Sequence, residues 1–578
     1  MPGKGMYLFM WSYQDSYRIH IQILVRSVLA ILGAPEDAEV FIVGARSPDN
    51  NNHNPVCIEP EDGIWGLSLF EGLLDSVEST YRDHDAHNLF YGDDASMRDK
   101  PEWIRRDSVR KSVQKSLDAY DKKNDVTSFC GEVRNLDGYY ISTVIQIPNT
   151  TFQKHPPLPF KQGAKINGHR SLIHAAIHAV LHEATEELQH PDPGRNSFYS
   201  MRKPEEIIRI AARNFMYTPG GAIEKGYMFN DLFTSLNLIS SLMYEGNKGV
   251  GQLILVNPDN DAIEFLIKFE ESISFREPRW VRKVLQMAST GIGIIANSQY
   301  IYGLGRLKES HDPSMQDVFI IEFIDHCLWE LRCGEQAMLR SHYSEPKLPQ
   351  EPFDKTTFLA NYTRLFPLST KKDGVNLWNL MLIQINQGYG SMIVVAEDAE
   401  DEALRLSKQG TRIKPVPLSE ALLKSVSCID GTILLSPDGY CHAVGIILDG
   451  EATEQCTPSR GSRYNSGIRY VQSNGPKRLA IVVSDDKTID IIPQLRKLVS
   501  RSKIEKYLAT FEASTIDNYH DSRNWLDKHR FYISAEQCAR INRKIDYIEA
   551  HPKDVGVIHL CTEHFEVHPE MNLSYLID

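Results

Sequence analysis

The nine cysteines of this 578-residue chain include no CxxC pair, and their number is odd. That pattern excludes the usual zinc ribbon or finger and argues against a disulfide framework, so reduced thiols in a cytosol are expected. No apolar run approaches the roughly 20 residues that a membrane-spanning helix needs. Met1 to Gly33 alternates apolar with polar residues, unlike the unbroken core of a secretion signal. A soluble, cytoplasmic chain with no membrane partner is the expectation. The phosphate-cradling GxxxxGK loop is missing, and so are the GxSxG elbow of serine hydrolases and the HExxH pair of zinc peptidases. Positive charge is short: 63 Lys and Arg face 76 Asp and Glu, a net charge of −13. A duplex-binding face over the whole molecule is therefore not expected, because nucleic-acid affinity comes largely from neutralised phosphates. A local basic pocket remains open.

What is present is ordinary globular composition, 42% apolar and 24% charged, in a chain too long for one core. Two proline clusters mark seams, Pro156, Pro157 and Pro159 and then Pro346, Pro349 and Pro352, since proline removes backbone donors. In the first part, strand, helix and strand are expected at Tyr7 to Trp11, Ile21 to Ile31 and Val40 to Val43. Ser96 to Lys123 is so charged that it reads as an exposed helix or a mobile connection. His174, His178 and His182 fall at i, i+4 and i+8 with Glu183 and Glu186 beside them. That stripe reads as a polar helix face or a pH-sensitive contact, with a metal site as the sharper alternative.

The informative stretch lies near the C-terminal third. Asp430-Gly431-Thr432 sits between two apolar runs, and Gly461-Ser462-Arg463-Tyr464-Asn465 follows. Ser484-Asp485-Asp486 ends the apolar run Leu479 to Val483. A carboxylate on a tight turn can hold a hard divalent cation, and an arginine loop can clamp phosphate oxygens. The plain alternative for Asp-Gly is a hairpin turn.

In order and spacing, Ser427 to Leu495 resembles the nucleotide-binding domain of diadenylate cyclases of the DisA type. That family carries Asp-Gly-Ala, then Gly-Thr-Arg-His-Arg, then Ser-Glu-Glu. The resemblance implies a nucleotidyltransferase that condenses two ATP into cyclic di-AMP or a related oligonucleotide messenger. It implies Mg2+ or Mn2+, with Asp430 and Asp485 as metal ligands and Asp430, Arg463 and Asp485 as catalytic residues. Gly431, Thr432, Leu448, Gly461, Ser462, Tyr464, Asn465 and Ser484 would contact the nucleotide. Tyr464 and Asn465 depart from the family's His and Arg, which removes one cation. Arg460 and Arg469 are candidate replacements. Since two lobes must face each other in that reaction, a homo-oligomer paired through this domain is implied, with a downstream effector as a further partner. The alternative is a catalytically silent nucleotide-binding sensor.

A repeat is also visible. Thr290-Gly291 through Gly305 aligns without gaps on Asp430-Gly431 through Gly445, with glycine, tyrosine and glycine at the same offsets. A helix, a glycine turn and a strand precede each copy. The first copy has Thr290 where Asp430 stands and no Gly-Ser-Arg-Tyr-Asn. The expected architecture is multi-domain α/β. An N-terminal sensor-like α/β domain covers 1–160, and a degenerate cyclase-like lobe without the motif covers 161–345. A proline-rich linker covers 346–357. The cyclase-like mixed sheet flanked by helices covers 358–500, and a helical C-terminal region covers 501–578.

Overall fold

The computed structural model describes the chain except for residues 1–8, 36, 51–53, 62–64, 154, 160–167, 224–230, 290, 350–354, 388–389, 454–455, 457–460, 474–475, 485–488, 494, 497, 516–518, 551–562, 569–570 and 578. Its contacts divide the chain into two compact units, Met1–Gln350 and Glu351–Asp578. Both are α/β and built on mixed or antiparallel sheets.

The first unit opens with α1 (Gln14–Leu32), whose buried residues Tyr17, Ile21, Leu24, Val25, Val28 and Leu32 follow helical spacing. The strand expected at Tyr7 to Trp11 is not seen over its described residues 9–11. Those residues enter the helix instead. The Met10 backbone N–H donates to Gln14 Oε1 at 2.7 Å, and the Trp11 indole donates to the Pro193 carbonyl at 2.8 Å. Next come β1 (Glu39–Arg46), β2 (Val56–Glu59), α2 (Leu73–Arg82), α3 (Asp94–Asn124), β3 (Val126–Cys130), β4 (Arg134–Leu136) and β5 (Tyr139–Pro148). The strands form an antiparallel sheet in the order β2-β1-β5-β3, with β4 also on β5. Then α4 (Leu172–Glu187), the single turn α5 (Ser197–Ser200) and α6 (Pro204–Ile223) follow. The Tyr17 hydroxyl donates to the Ala184 carbonyl at 2.9 Å and lies 2.7 Å from Thr143 Oγ1, tying α1 to α4 and β5.

Helix α3 corrects the reading of Ser96 to Lys123 as exposed or mobile. One stripe of it is buried: Ile104, Ser108, Ser112, Val113, Leu117 and Asp121. Serines hold places that apolar residues normally take, so the stripe is invisible to a hydrophobicity count. Ser108 Oγ satisfies itself on the Ile104 carbonyl at 2.7 Å, and Asp121 accepts from the Ser128 N–H and hydroxyl, both at 2.8 Å.

The rest of this unit holds α7 (Leu232–Ser241), β6 (Gly251–Val256), β7 (Ile263–Ser274), α8 (Pro278–Leu285), β8 (Gly293–Ala296), β9 (Tyr300–Leu307), β10 (Val318–Asp325), β11 (Leu328–Cys333), β12 (Gln336–His342) and β13 (Glu345–Lys347). The second unit runs α9 (Lys355–Leu365), α10 (Lys371–Asn386), β14 (Ser391–Ala396), α11 (Ala399–Arg405), β15 (Thr411–Pro417), α12 (Glu420–Val426), β16 (Thr432–Leu435), β17 (Tyr440–Ile446), α13 (Ser462–Val471), β18 (Arg478–Val483) and β19 (Ile489–Ile492). Helices α14 (Arg501–Ala513), α15 (His520–Lys528) and α16 (Ala535–Glu549) close it around Leu508, Phe511 and Ile541.

The two sheets share one plan. The first is ordered β7-β9-β8-β6-β10-β11 before β12 and β13 extend it, and the second β15-β17-β16-β14-β18-β19. In each, the central pair is parallel (β6 with β8, β14 with β16) and every other neighbour is antiparallel. A helix precedes the first strand of each plan (α7, α10), and another precedes the third (α8, α12). They differ between the first and second strands, where only the second unit carries a helix (α11), and between the fourth and fifth. There the second unit carries α13, whereas residues 308–317 carry only a single 3-10 turn.

Strand β14 is buried on both faces. Ile393 and Val395 join the cluster under α9 and α10, and Met392, Val394 and Ala396 join the one that includes Ala403 of α11 and Ile468 of α13. Double burial explains why the central strands read as unbroken apolar runs. The eight described cysteines are free. No helix of the described residues is long and apolar enough to cross a membrane.

Candidate functional site

Sheet register gathers the motif. Met392 pairs with Thr432, Thr432 with Ile446, and Ser391 with Val483. The start of β16, the end of β17 and the end of β18 therefore share one rim of the second-unit sheet. Asp430 and Gly431 precede β16, Leu448 follows β17, and Ser484 follows β18.

The Asp-Gly turn is pinned by backbone contact. Gly431 has φ +112°, and a Cβ there would sit 2.6 Å from the Gly445 carbonyl carbon. Only glycine meets both demands. Gly431→Ala is expected to cost about 1–3 kcal/mol and to displace the Asp430 carboxylate. Urea titration of the variant reads the first effect, and loss of nucleotide-induced stabilisation reads the second.

Asp430 projects into solvent with its side chain 99% exposed, and its Oδ1 lies 3.8 Å from an Arg463 terminal nitrogen. Arg463 is the second residue of α13, after the N-cap Gly461 and the first residue Ser462. The N-cap Gly461 has no side chain with which to cap this helix start, and its leading N–H groups and the guanidinium share one end. Asn465 Nδ2 donates to the Gly461 carbonyl at 3.3 Å. Tyr464 packs partly buried against the cluster of Ile446, Leu448 and Ile468. Arg469, one of the two candidate replacement cations, is occupied on its own helix by the Asn465 carbonyl and Ser466 Oγ, each at 3.2 Å.

Thr432 is buried, and its hydroxyl has no partner among the described residues. Leu448 is buried in the same cluster that Tyr464 contacts, and Ser484 is half-buried. Asp485, named as a catalytic residue and metal ligand, lies outside the described residues, as do Asp486, Arg460 and Thr290. The exposed carboxylate can give a hard cation one oxygen ligand, with a ligand's phosphates and water as the rest of its shell, whereas the helix start and the guanidinium are positive and suit the phosphates themselves. Among the described residues no group of three His, Cys, Asp or Glu could hold a metal unaided.

A charged network that periodicity does not reveal gathers at α11 and the start of β18, the other end of that strand from the rim. Glu402 on α11 receives Arg405 Nε at 2.7 Å, Arg405 NH2 at 2.8 Å and the Tyr470 hydroxyl at 2.6 Å. Arg478 reaches it at 3.2 Å and lies 4.2 Å over the Tyr470 ring. Arg405 also grips Asp449 with two nitrogens, at 2.5 and 2.9 Å. The network joins α11, α13, β18 and the segment carrying Leu448. Burial alone would raise the Glu402 carboxyl, but the bonds from Arg405 and Tyr470 and the Arg478 charge outweigh it and hold it below its ordinary range.

The histidine stripe lies on α4 in the first unit. His174 stacks on Phe152 at 4.9 Å, and its Nδ1 lies 2.7 Å from Ser171 Oγ. His169 and His178 rings sit 5.0 Å apart. Burial first, then neighbouring positive charge, pushes His169 and His174 down to about 4 from 6.5. Both stay neutral when folded, while the unfolded chain takes up protons near 6.5. Their stabilisation is therefore complete above about pH 6.5 and shrinks as pH falls towards 4, by about 1–3 kcal/mol per histidine. A melting-temperature series across that window, blunted in His174→Gln, checks this.

Residues 10–216 match the family model described as "Probable sensor domain DACNG", and residues 230–335 match "Probable sensor domain DACNH". No curated relative matches the chain. Among solved structures, the chain is similar to a double-cysteine mutant of DacA from Staphylococcus aureus. Identity is 18%, covering 24% of this chain and 95% of that one, with a TM-score of 0.19. It is also similar to a hypothetical membrane spanning protein from Bacillus cereus, at 16% identity over 23% of this chain and 64% of that one, again with a TM-score of 0.19. Both matched regions lie in the first unit, and the Asp430–Arg463 rim lies beyond both.

Proposed function

We propose that the second unit is a nucleotidyltransferase of the diadenylate cyclase type, joining two ATP into cyclic di-AMP or a related oligonucleotide, with the first unit as its sensor. The observation that carries this reading is the 3.8 Å approach of Asp430 to Arg463 at the start of α13. The sensor-type matches over residues 10–216 and 230–335 support a sensing region joined to an output domain. The shared strand plan supports the middle lobe as a copy of the output domain that lacks α13 and its arginine.

In this reading Arg463 and the leading N–H groups of α13 hold the phosphates of ATP and balance the charge that moves as pyrophosphate leaves. Asp430, with Asp485 as its partner, would hold Mg2+ or Mn2+. The ion, when bound, supplies Lewis acidity for attack of a ribose 3′-hydroxyl on an α-phosphate. The Arg463–Asp430 pair is exposed and weak, so ATP and the ion can separate it at small cost. One motif per chain requires two chains facing each other. Incubation with α-labelled ATP and Mn2+ tests the reading: a labelled product is expected that Asp430→Ala abolishes. Failure to form product from any nucleoside triphosphate sinks it.

A second reading, a silent nucleotide sensor, is favoured by the packing of Tyr464 into the domain where the family has a basic loop residue. It predicts saturable ATP binding without product.

A further inference from the structure

A cleft of about 420 Å³ opens in the first unit between α3, the β3–β4 connection and α4. That volume falls in the range of small-molecule sites. Its floor is buried and mostly apolar, made by Cys130, Gly131, Val133, Leu181 and Thr185. The connection lies close on α4, since a Cβ on Gly131 would meet Leu181 at 3.3 Å.

The walls are basic in a chain of net charge −13. Arg106, Arg110 and Arg134 line them with Asp107 and Glu132. Asp107 neutralises Arg110 but leaves Arg106 and Arg134 without a close carboxylate among the described residues. Asp107 is already engaged by Arg110 at 2.6 Å, Lys111 at 2.8 Å and His84 at 2.9 Å. The Glu132 side chain is 70% exposed and stands 3.8 Å from Arg134. Among the described residues Arg106 pairs only with Glu102, at 3.7 Å. These separations exceed a hydrogen bond, and the Nε atoms of Arg106 and Arg134 are buried without partners among the described residues. A guanidinium left short of acceptors in a half-buried setting is costly, and oxyanion oxygens are the acceptors that fit its fork. Trp103 adds a ring wall that is 44% exposed, and His178 and His182 face the cleft from α4.

We propose that this cleft binds a small phosphate ester bearing a planar ring, with Arg106 and Arg134 on the phosphate and Trp103 on the ring. Guanidinium forks match phosphate in geometry and charge, and an exposed indole offers a face for stacking. The site is separate from the Asp430–Arg463 rim and stands whether or not that rim is catalytic.

Calorimetric titration of the full chain with AMP tests the assignment, with inorganic phosphate as a competitor. Saturable AMP binding is expected in the wild type and in Arg463→Ala. It should be about tenfold weaker or more in Arg106→Gln and in Arg134→Gln, with partial recovery in Arg134→Lys. Inorganic phosphate should compete only at higher concentration, having no ring. The proposal is overturned if AMP shows no saturable binding, if the glutamine variants bind as the wild type does, or if only Arg463→Ala loses binding. Should the glutamine variants fail to fold, hydrogen exchange on the wild type decides. Protection by AMP over 103–110, 130–134 and 178–185 supports the site, and protection confined to other segments overturns it.

Discussion

Arg463→Ala should lower product formation from ATP by about 10²–10³-fold, the usual cost of removing one charged donor from a transition state that gathers negative charge. Arg463→Lys should recover only part, because an ammonium keeps the charge and loses the two-pronged geometry. Asp430→Ala should be at least as severe, and Asp430→Asn should resemble it, since an amide keeps the shape and discards the charge. Steady-state kinetics with labelled ATP and Mn2+ separates the roles. Loss of phosphate binding raises KM, whereas loss of charge balance in the reacting state lowers kcat. Neither substitution should alter the melting temperature by much. Asp430 is fully exposed and its pair with Arg463 is long, so little folding energy rests on it.

Glu402→Ala should do the reverse, destabilising the second unit by about 3–5 kcal/mol, as removing one member of a buried charged network does. It would take from Arg478, buried with a side chain 6% exposed, its nearer carboxylate, leaving Asp398 at 3.7 Å, and free the Tyr470 hydroxyl. Urea denaturation of the full chain should show the transition of the second unit moving while that of the first stays in place. The pH dependence has a definite sign. The folded Glu402 carboxyl titrates below its ordinary 4.5, so its stabilisation is present above that value and is lost as pH falls through the folded one. The variant should therefore show a shallower acid transition. Activity should fall as well, because the network holds α13 and the segment around Leu448 against the sheet.

Much of the second unit is legible from sequence for a physical reason. Strands β14 and β18 are buried on both faces, so their apolar runs are unbroken, and the glycines before β16 and at the end of β17 mark a turn that no side chain could occupy. The repeat was readable because Gly291 and Gly305 stand at the offsets of Gly431 and Gly445, and both sheets follow the same strand plan. Chain order alone suggests the approach of Asp430 to Arg463, and the fold holds them 3.8 Å apart. What escaped was long-range or disguised. Helix α3 hides its buried face behind Ser108 and Ser112. Glu402 and Arg478 are 76 positions apart and meet only through the packing of α11 on the sheet. Arg106 and Arg110 of the first-unit cleft lie in a charged run that reads as an exposed helix or a mobile connection. Only the docking of α4 beneath the β3–β4 connection turns that run into a wall.

The short turn between β9 and β10 has a further result for stoichiometry. In the proposed cyclase reading, α13 in one lobe and no such helix between β9 and β10 in the other give each polypeptide a single reactive surface. A monovalent particle that must meet its like saturates in a closed two-fold pair and leaves no unsatisfied end for growth. Two complete lobes per polypeptide would instead make a bivalent unit able to string into open chains. On the cyclase reading pairing is the concentration-dependent step, and output rises more steeply than protein concentration while the pair is only partly formed.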